Sequence, residues 1–193
     1  MDKKLVLTGC GILKKEINYL IKKNNWPVET HFLCSALHVD FDKLYNSLEN
    51  SLKKYTERET IVFYGTCHPL IDKVIDNEHT VRTRGQNCVE ILLGQEKFTD
   101  ELSAGAFFLL EDWAKRWDYV SGKAFNNDEI AAAILQEEQN YFLALRTPCS
   151  GDFSKEAEHV STLNSLPLRW MDVSLDNLER VLKETIARKV EHL

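Results

Sequence analysis

The sequence predicts an α/β protein with a mainly parallel sheet and helices on both faces, a Rossmann-like three-layer architecture. Short apolar runs alternate along the chain with segments whose apolar residues recur at helical spacing, which is the pattern of strands joined by crossover helices. The 193 residues are 44% hydrophobic and 28% charged, the balance of a globular protein with a real core. Because no internal repeat, low-complexity segment or linker interrupts this pattern, we expect a single α/β domain over residues 1–193.

Six apolar runs are predicted to form strands. In chain order they are KLVLTG, VETHFL, TIVFYG, HTVRTR, GAFFLL and NYFLALR. The third is the most apolar and is bounded by charged residues before it and by Gly65 after it.

The segments between the strands are predicted to form helices, because their apolar residues lie three or four positions apart. The helix after the first strand carries Leu13, Ile17, Leu20 and Ile21, and the helix after the second carries Phe41, Leu44, Tyr45, Leu48, Leu52 and Tyr55. Further helices are expected in PLIDKVID, NCVEILLGQEKF, the stretch from EDWAKRWDYV through DEIAAAILQEE, and the C-terminal segment with Leu175, Leu178, Leu182 and Ile186.

Composition and charge narrow the function. The formal net charge of −6 disfavours a nucleic-acid binder, which would carry a basic face. No run approaches the ~18 apolar residues that span a bilayer, and the N-terminal stretch MDKKLVLTGCGI lacks the pattern of a signal peptide. We therefore expect a cytoplasmic protein, whose five cysteines would remain thiols in a reducing compartment.

The cysteines follow the predicted strands. They are Cys10, Cys34, Cys67, Cys88 and Cys149, after the first, second, third, fourth and sixth strand. In an open parallel sheet the carboxyl ends of the strands share one edge, where ligands collect. A single cysteine at such a place is more often a small buried apolar residue, and we expect this of Cys34. For Cys149 two roles stay open: a fourth metal ligand, or a residue that takes no part in the site.

Glycines distinguish three of these cysteines. Gly9 and Gly11 flank Cys10, while Gly65 and Gly85 lie just before Cys67 and Cys88. Glycine turns allow close backbone approach, and clustered thiols suit zinc or an iron–sulfur cluster. If the first, third and fourth strands are neighbours, the sulfurs of Cys10, Cys67 and Cys88 are expected within about 4 to 7 Å of one another, facing a cleft.

Other side chains extend the site. His38 is expected to border the cleft from the second strand. His68 directly follows Cys67 and is expected to be a neighbouring or substrate-side group rather than a ligand of the same ion. Glu16 could face the cleft from the first helix, although a solvated glutamate is the stronger expectation.

Two alternatives use the same region. Arg82 and Arg84 beside Gly85 would form an anion site near a helix start. A cysteine nucleophile with His38 or His68 as its base is also chemically reasonable, but several clustered thiols fit metal binding better than a single nucleophile.

The chain resembles the domain of unknown function 1638 family, uncharacterised proteins of anaerobic archaea and bacteria. The resemblance lies in Cys10-Gly11, Leu37-His38, Tyr64-Gly65-Thr66-Cys67, Cys88 followed by VEILLG, and the stretch from Gly105 to Trp113. It covers roughly residues 5 to 113. The chain departs from the family's proline-arginine-x-histidine-aspartate motif before the last cysteine, where it reads TRGQN, so that of this motif Arg84 alone is carried over.

The resemblance implies a protein of anaerobes whose gene often lies near corrinoid-dependent methyl-transfer systems. With the cysteine pattern, this predicts a metal-binding protein that uses Cys10, Cys67 and Cys88, holds zinc or an iron–sulfur cluster, and acts in corrinoid-linked methyl-group or one-carbon metabolism. The alternative is a non-enzymatic accessory or regulatory protein that binds a corrinoid protein or its methyltransferase. The residues leave open whether the protein is an enzyme.

Overall fold

The computed structural model of the chain describes residues 5–69, 71–75, 79–125 and 128–190. The chain divides into two compact units, the first made of Met1–Leu92 with Leu175–Leu193 and the second of Leu93–Ser174. The expectation of one domain over residues 1–193 stays a prediction.

The predicted fold class is confirmed, because every strand pair described is parallel and helices alternate with the strands. The strands are β1 (Leu5–Cys10), β2 (Val28–Leu33), β3 (Thr60–Phe63), β4 (Thr80–Arg82), β5 (Ala106–Leu109), β6 (Tyr141–Arg146) and β7 (Leu168–Asp172). They form two sheets, with the order β2-β1-β3-β4 in the first unit and β5-β6-β7 in the second.

The helices follow the predicted alternation, with differences at their boundaries. They are α1 (Lys14–Lys23), α2 (Phe41–Lys54), α3 (Ile71–Val74), α4 (Cys88–Leu93), α5 (Gln95–Ser103), α6 (Glu111–Ala114), α7 (Trp117–Phe125), α8 (Asp128–Glu138), α9 (Ser154–Asn164) and α10 (Asp176–Val190). Short 3-10 helices occupy Gly11–Leu13 and Ser35–Val39. The predicted helix PLIDKVID is seen only over α3, since residues 70 and 76 lie outside the described part. In the described ranges no helix has the length and apolar character needed to cross a membrane.

The first unit's sheet is apolar at its centre. Every residue of β1 and of β3 is buried. Gly9 stands opposite Phe63 in the register, and a Cβ at Gly9 would overlap the Phe63 carbonyl, so glycine permits the close pairing of these strands. The buried hydroxyls of Thr8 and Ser51 satisfy each other across 2.8 Å, which ties α2 to the sheet.

The second unit has its own core around three aromatic rings. Phe107, Trp117 and Phe142 contact one another edge to face, with ring centroids 5.3 to 5.6 Å apart. Such edge-to-face pairs are favoured by the charge distribution of aromatic rings. The unit is completed by β7, from which Leu168 and Trp170 pack on this core.

Candidate functional site

Four cysteines lie at the carboxyl edge of the first unit's sheet. Cys10 ends β1, Cys34 directly follows β2, Cys67 lies four residues beyond β3, and Cys88 begins α4. The order β2-β1-β3-β4 makes β1, β3 and β4 neighbours, which is the arrangement that a shared site of Cys10, Cys67 and Cys88 requires. All five cysteines of the chain are thiols rather than disulfides.

Backbone contacts hold the loops of Cys67 and Cys88 together. The Thr66 amide donates to the Gln86 carbonyl at 2.7 Å, and the Thr66 hydroxyl donates to the same oxygen at 3.0 Å. Gly65 lies so close to this loop that a Cβ would overlap the Gln86 carbonyl and come within 2.6 Å of the Asn87 Cα. The glycine before Cys67 is thus required by packing between two loops.

A side-chain cap fixes the start of α4. The Asn87 Oδ1 accepts hydrogen bonds from the amides of Val89 and Glu90, at 3.0 and 2.9 Å. The Glu90 carboxylate in turn accepts from the Gln86 amide at 3.0 Å. These bonds satisfy amides that a helix start leaves without partners, and they hold Cys88 in the first turn.

Burial makes the thiols of this edge poor acids. It raises the pKa of Cys88 to about 12, and the nearby Cys67 thiol adds to the effect. Burial also raises the pKa of Cys67, although backbone amides and the positive charge of Arg82 partly offset the rise. Both thiols are therefore protonated at neutral pH unless a cation stabilises their thiolates.

Cys10 has a histidine partner. The His38 Nε2 lies 3.3 Å from the Cys10 Sγ, within hydrogen-bond distance for sulfur. Burial lowers the pKa of His38 and so favours its neutral form. A neutral imidazole beside a buried thiol is suited either to accept the thiol proton or to join it as a metal ligand.

Tyr64 lies close enough to the cysteines of this edge for their charges to affect its pKa. Its ring lies 5.8 Å from that of His38, and its buried hydroxyl has no hydrogen-bond partner among the described residues. Burial raises the pKa of Tyr64, and negative charge on Cys10, Cys67, Cys88 or Cys34 raises it further. The hydroxyl therefore lies within electrostatic range of all four cysteines. Sequence reasoning quoted Tyr64 in the Tyr-Gly-x-Cys motif but assigned it no role.

The family model described as Protein of unknown function (DUF1638) matches residues 32–182, well over half of the chain. The chain belongs to this family. The matched segment begins after the Cys10-Gly11 pair and extends well past Trp113, so the DUF1638 match includes the whole of the second unit. No curated protein and no solved structure matches the chain.

Convergence of the three cysteines on one metal stays a prediction for this DUF1638 protein. As the side chains stand, the described residues contain no group of three or more histidine, cysteine, aspartate or glutamate side chains arranged to hold a metal ion. The structure does place His38 against Cys10, and Cys67 within electrostatic range of Cys88.

Two expectations at this edge are wrong. Cys34 is exposed rather than buried; it follows β2 and directly precedes the 3-10 helix Ser35–Val39. Glu16 is buried on α1 rather than solvated. Cys149 belongs to the second unit, beyond β6, where its amide donates to the Thr147 hydroxyl at 3.2 Å. Its role as a fourth ligand stays a prediction.

The arginines and the second histidine occupy the flanks of the site. The Arg82 guanidinium pairs with Asp72 at 3.2 Å, while its buried Nη1 lacks a partner among the described residues. Arg84 is exposed, and its charge adds to the effect of burial in lowering the pKa of Arg188. Anion binding by Arg82 and Arg84 stays a prediction. His68 is buried and lies against the rings of Phe41 and Tyr45.

Proposed function

We propose that this is a cytoplasmic metal-binding protein whose site is formed by Cys10, Cys67 and Cys88, holding zinc or an iron–sulfur cluster. The observation that carries the proposal is the buried Tyr64 hydroxyl, which has no hydrogen-bond partner among the described residues and lies within electrostatic range of these three thiols. Buried polar groups without partners cost about 1–3 kcal/mol. A charged centre beside the hydroxyl would offset that cost.

The donor set fits a soft metal. Thiolates are preferred ligands of zinc and of iron–sulfur clusters, and a neutral histidine is a common fourth ligand of zinc. The raised pKa values of Cys67 and Cys88 fit as well, because a metal cation supplies the positive charge that these desolvated thiols need in order to ionise. Binding requires that thiol side chains rotate toward one another, since they do not form a metal-binding group as they stand.

The reaction that we propose for this site is methyl transfer to a metal-activated thiol. Three protein ligands would leave a coordination position open, and such a metal would supply a Lewis acid that activates a thiol for methyl transfer. His38, which burial keeps neutral by lowering its pKa, would serve as a hydrogen-bond partner of Cys10 or as an additional ligand. Support for corrinoid-linked methyl-group metabolism comes from the family resemblance alone. The accessory-protein alternative stays a prediction.

Metal analysis of protein purified without oxygen tests the site. We expect about one zinc ion per chain, or iron with acid-labile sulfide, and a loss of most of that metal in Cys67→Ser and in Cys88→Ser. Cys34→Ser, which alters an exposed thiol at the same edge, is the matched control and should keep the metal. Substoichiometric zinc and iron that Cys67→Ser leaves unchanged would reject the proposal.

A further inference from the structure

A second potential ligand site lies beside the thiols, on the face of α2. A cavity of about 380 Å³ is lined by Phe41, Asp42, Tyr45, His68 and Pro69. This volume falls in the range of sites for small molecules. Since His68 directly follows Cys67, the cavity adjoins the loop that carries one of the proposed ligands.

Three rings form the apolar part of the cavity. The His68 ring centroid lies 5.6 Å from that of Phe41 at an interplanar angle of 88°, and 5.8 Å from that of Tyr45 at 47°. The Phe41 and Tyr45 rings thus each contact the His68 ring, at different angles, and all three residues line the cavity. Phe41 is 54% exposed although its ring contacts that of His68, so part of the Phe41 ring remains open to a ligand.

The charge at the cavity is negative. Asp42 supplies a carboxylate to the lining, and none of the described lining residues is a lysine or an arginine. The neighbouring Asp40 is engaged as the cap of α2, where it accepts from the Lys43 amide at 3.1 Å and pairs with the Lys43 ammonium. Asp42 is thus the carboxylate available to a ligand in this cavity.

We infer that the cavity binds a small organic ammonium cation, of the quaternary methylated class, as a free small molecule. Several aromatic faces with a carboxylate are the arrangement that recognises such a cation, because the ring faces carry negative partial charge and the methyl groups bury apolar surface against them. An anionic ligand would meet Asp42, with no lysine or arginine among the described lining residues to offset the repulsion. The inference does not rest on the proposed metal, and it is tested on metal-free and metal-loaded protein alike.

Calorimetric titration with choline chloride tests the inference, with 3,3-dimethylbutan-1-ol as a neutral probe of the same shape. We expect saturable binding of choline and affinity for the alcohol that is lower by about ten-fold. Phe41→Leu and Asp42→Asn should each weaken choline binding by about five-fold. Both residues are exposed, so these variants should fold, and thermal melting verifies it. Tyr19→Leu, which removes an exposed ring on α1, is the matched control and should not change the affinity.

Several results would overturn the inference. They are the absence of saturable choline binding, equal binding of choline and the alcohol, and unchanged affinity in both Phe41→Leu and Asp42→Asn. A trimethyllysine peptide that binds more tightly than choline would also reject a free small molecule as the ligand. Because the metal-free protein is titrated too, failure here is distinguishable from failure of the metal site.

Discussion

At the scale of single residues, Tyr64, Cys67 and Cys88 lie where burial disfavours a charged side chain, and this determines the chemistry of the two thiols. The pKa of Cys88 is raised to about 12, chiefly by burial, and the Cys67 thiol adds to the rise. An ordinary thiol has a pKa near 8.5. Cys88 in the metal-free protein is therefore a protonated, unreactive group across the physiological range.

This predicts a strong pH dependence of alkylation. At pH 9 a thiol with a pKa of about 12 is ionised in roughly one molecule in a thousand, so we expect iodoacetamide to modify the exposed Cys34 quickly and Cys88 hardly at all. Site-resolved mass spectrometry from pH 7 to pH 10 gives both rates in one sample, with Cys34 as the internal control. Comparable rates at the two residues in metal-free folded protein would contradict the prediction.

The raised pKa of Cys88 also makes the folding stability depend on pH. Above pH of about 9 the unfolded chain releases the Cys88 proton while the folded chain retains it, so folding stability decreases as pH rises toward about 12. The contribution is fully present below the pKa of the unfolded thiol. Metal binding would reverse this dependence at Cys88, since it requires the thiolate.

At the scale of elements, the loop after β3 is locked against the loop before α4. Gly65 fits against the backbone of Gln86 and Asn87, where no Cβ has room, and this contact joins the loop that carries Cys67 to the residues just before Cys88. The atoms that a Cβ at Gly65 would meet belong to the main chain, and main-chain atoms cannot move aside as the end of a flexible side chain can.

We therefore expect Gly65→Ala to lower the free energy of unfolding by about 1–3 kcal/mol, through overpacking. Urea denaturation measures it. Gly122→Ala is the matched control, because Gly122 is exposed on α7 with nothing within 4 Å of a built Cβ, and alanine there should stabilise by about 0.5–1 kcal/mol. A Gly65→Ala midpoint at or above that of the unsubstituted protein would show that the loops are not locked as described.

The sequence predicts most of these elements because their apolar residues are periodic. It misses α9 and β7, whose inward residues are too few to form a clear repeat: α9 buries Ala157, Val160 and Asn164. The segment predicted as the single helix NCVEILLGQEKF is divided at Gly94, whose φ of 86° ends α4.

The candidate site is predicted in part for similar reasons. Strand ends and glycines indicate which loops meet, so the cysteines are placed at the correct edge. Side-chain burial is not encoded in that pattern: Cys34 is exposed and Glu16 is buried, and burial depends on tertiary packing that strand ends and glycines do not specify. The sequence gives Tyr64 no role, because a tyrosine at the end of an apolar strand normally packs in a core; only the three-dimensional structure shows that its hydroxyl has no hydrogen-bond partner among the described residues.

At the scale of the whole molecule, the chain leaves the first unit after Leu92 and returns to it at Leu175. The returning helix α10 buries Leu178, Val181 and Leu182, and its end carries Lys189, which is only 5% exposed. Lys189 forms an ion pair with Glu59, the residue before β3. A buried lysine needs such a partner, because an unpaired ammonium is costly in the interior.

The pair is part of a small network at the amino end of the sheet. Burial alone would raise the pKa of Glu59, but hydrogen bonds from Lys189 and His79 lower it below its usual value. The His79 Nδ1 lies 3.0 Å from the Glu59 carboxylate. Residues that precede β3 and β4 are thereby joined to the last turn of α10, so that this one contact links three parts of the chain that are distant in sequence.

We expect Lys189→Met to lower the free energy of unfolding by about 2 kcal/mol, because methionine keeps the apolar stem while the partly buried Glu59 loses its cation. Arg180→Met is the control on the same helix: its pair with Glu184 is exposed at both ends, and such i, i+4 pairs contribute about 0.3–0.5 kcal/mol. Adding Glu59→Gln to Lys189→Met should recover part of the loss, since it removes the uncompensated carboxylate. Equal effects of Lys189→Met and Arg180→Met on the urea midpoint would contradict the prediction. They would mean that the apolar face of α10, and not the pair of Lys189 with Glu59, holds this helix on the first unit.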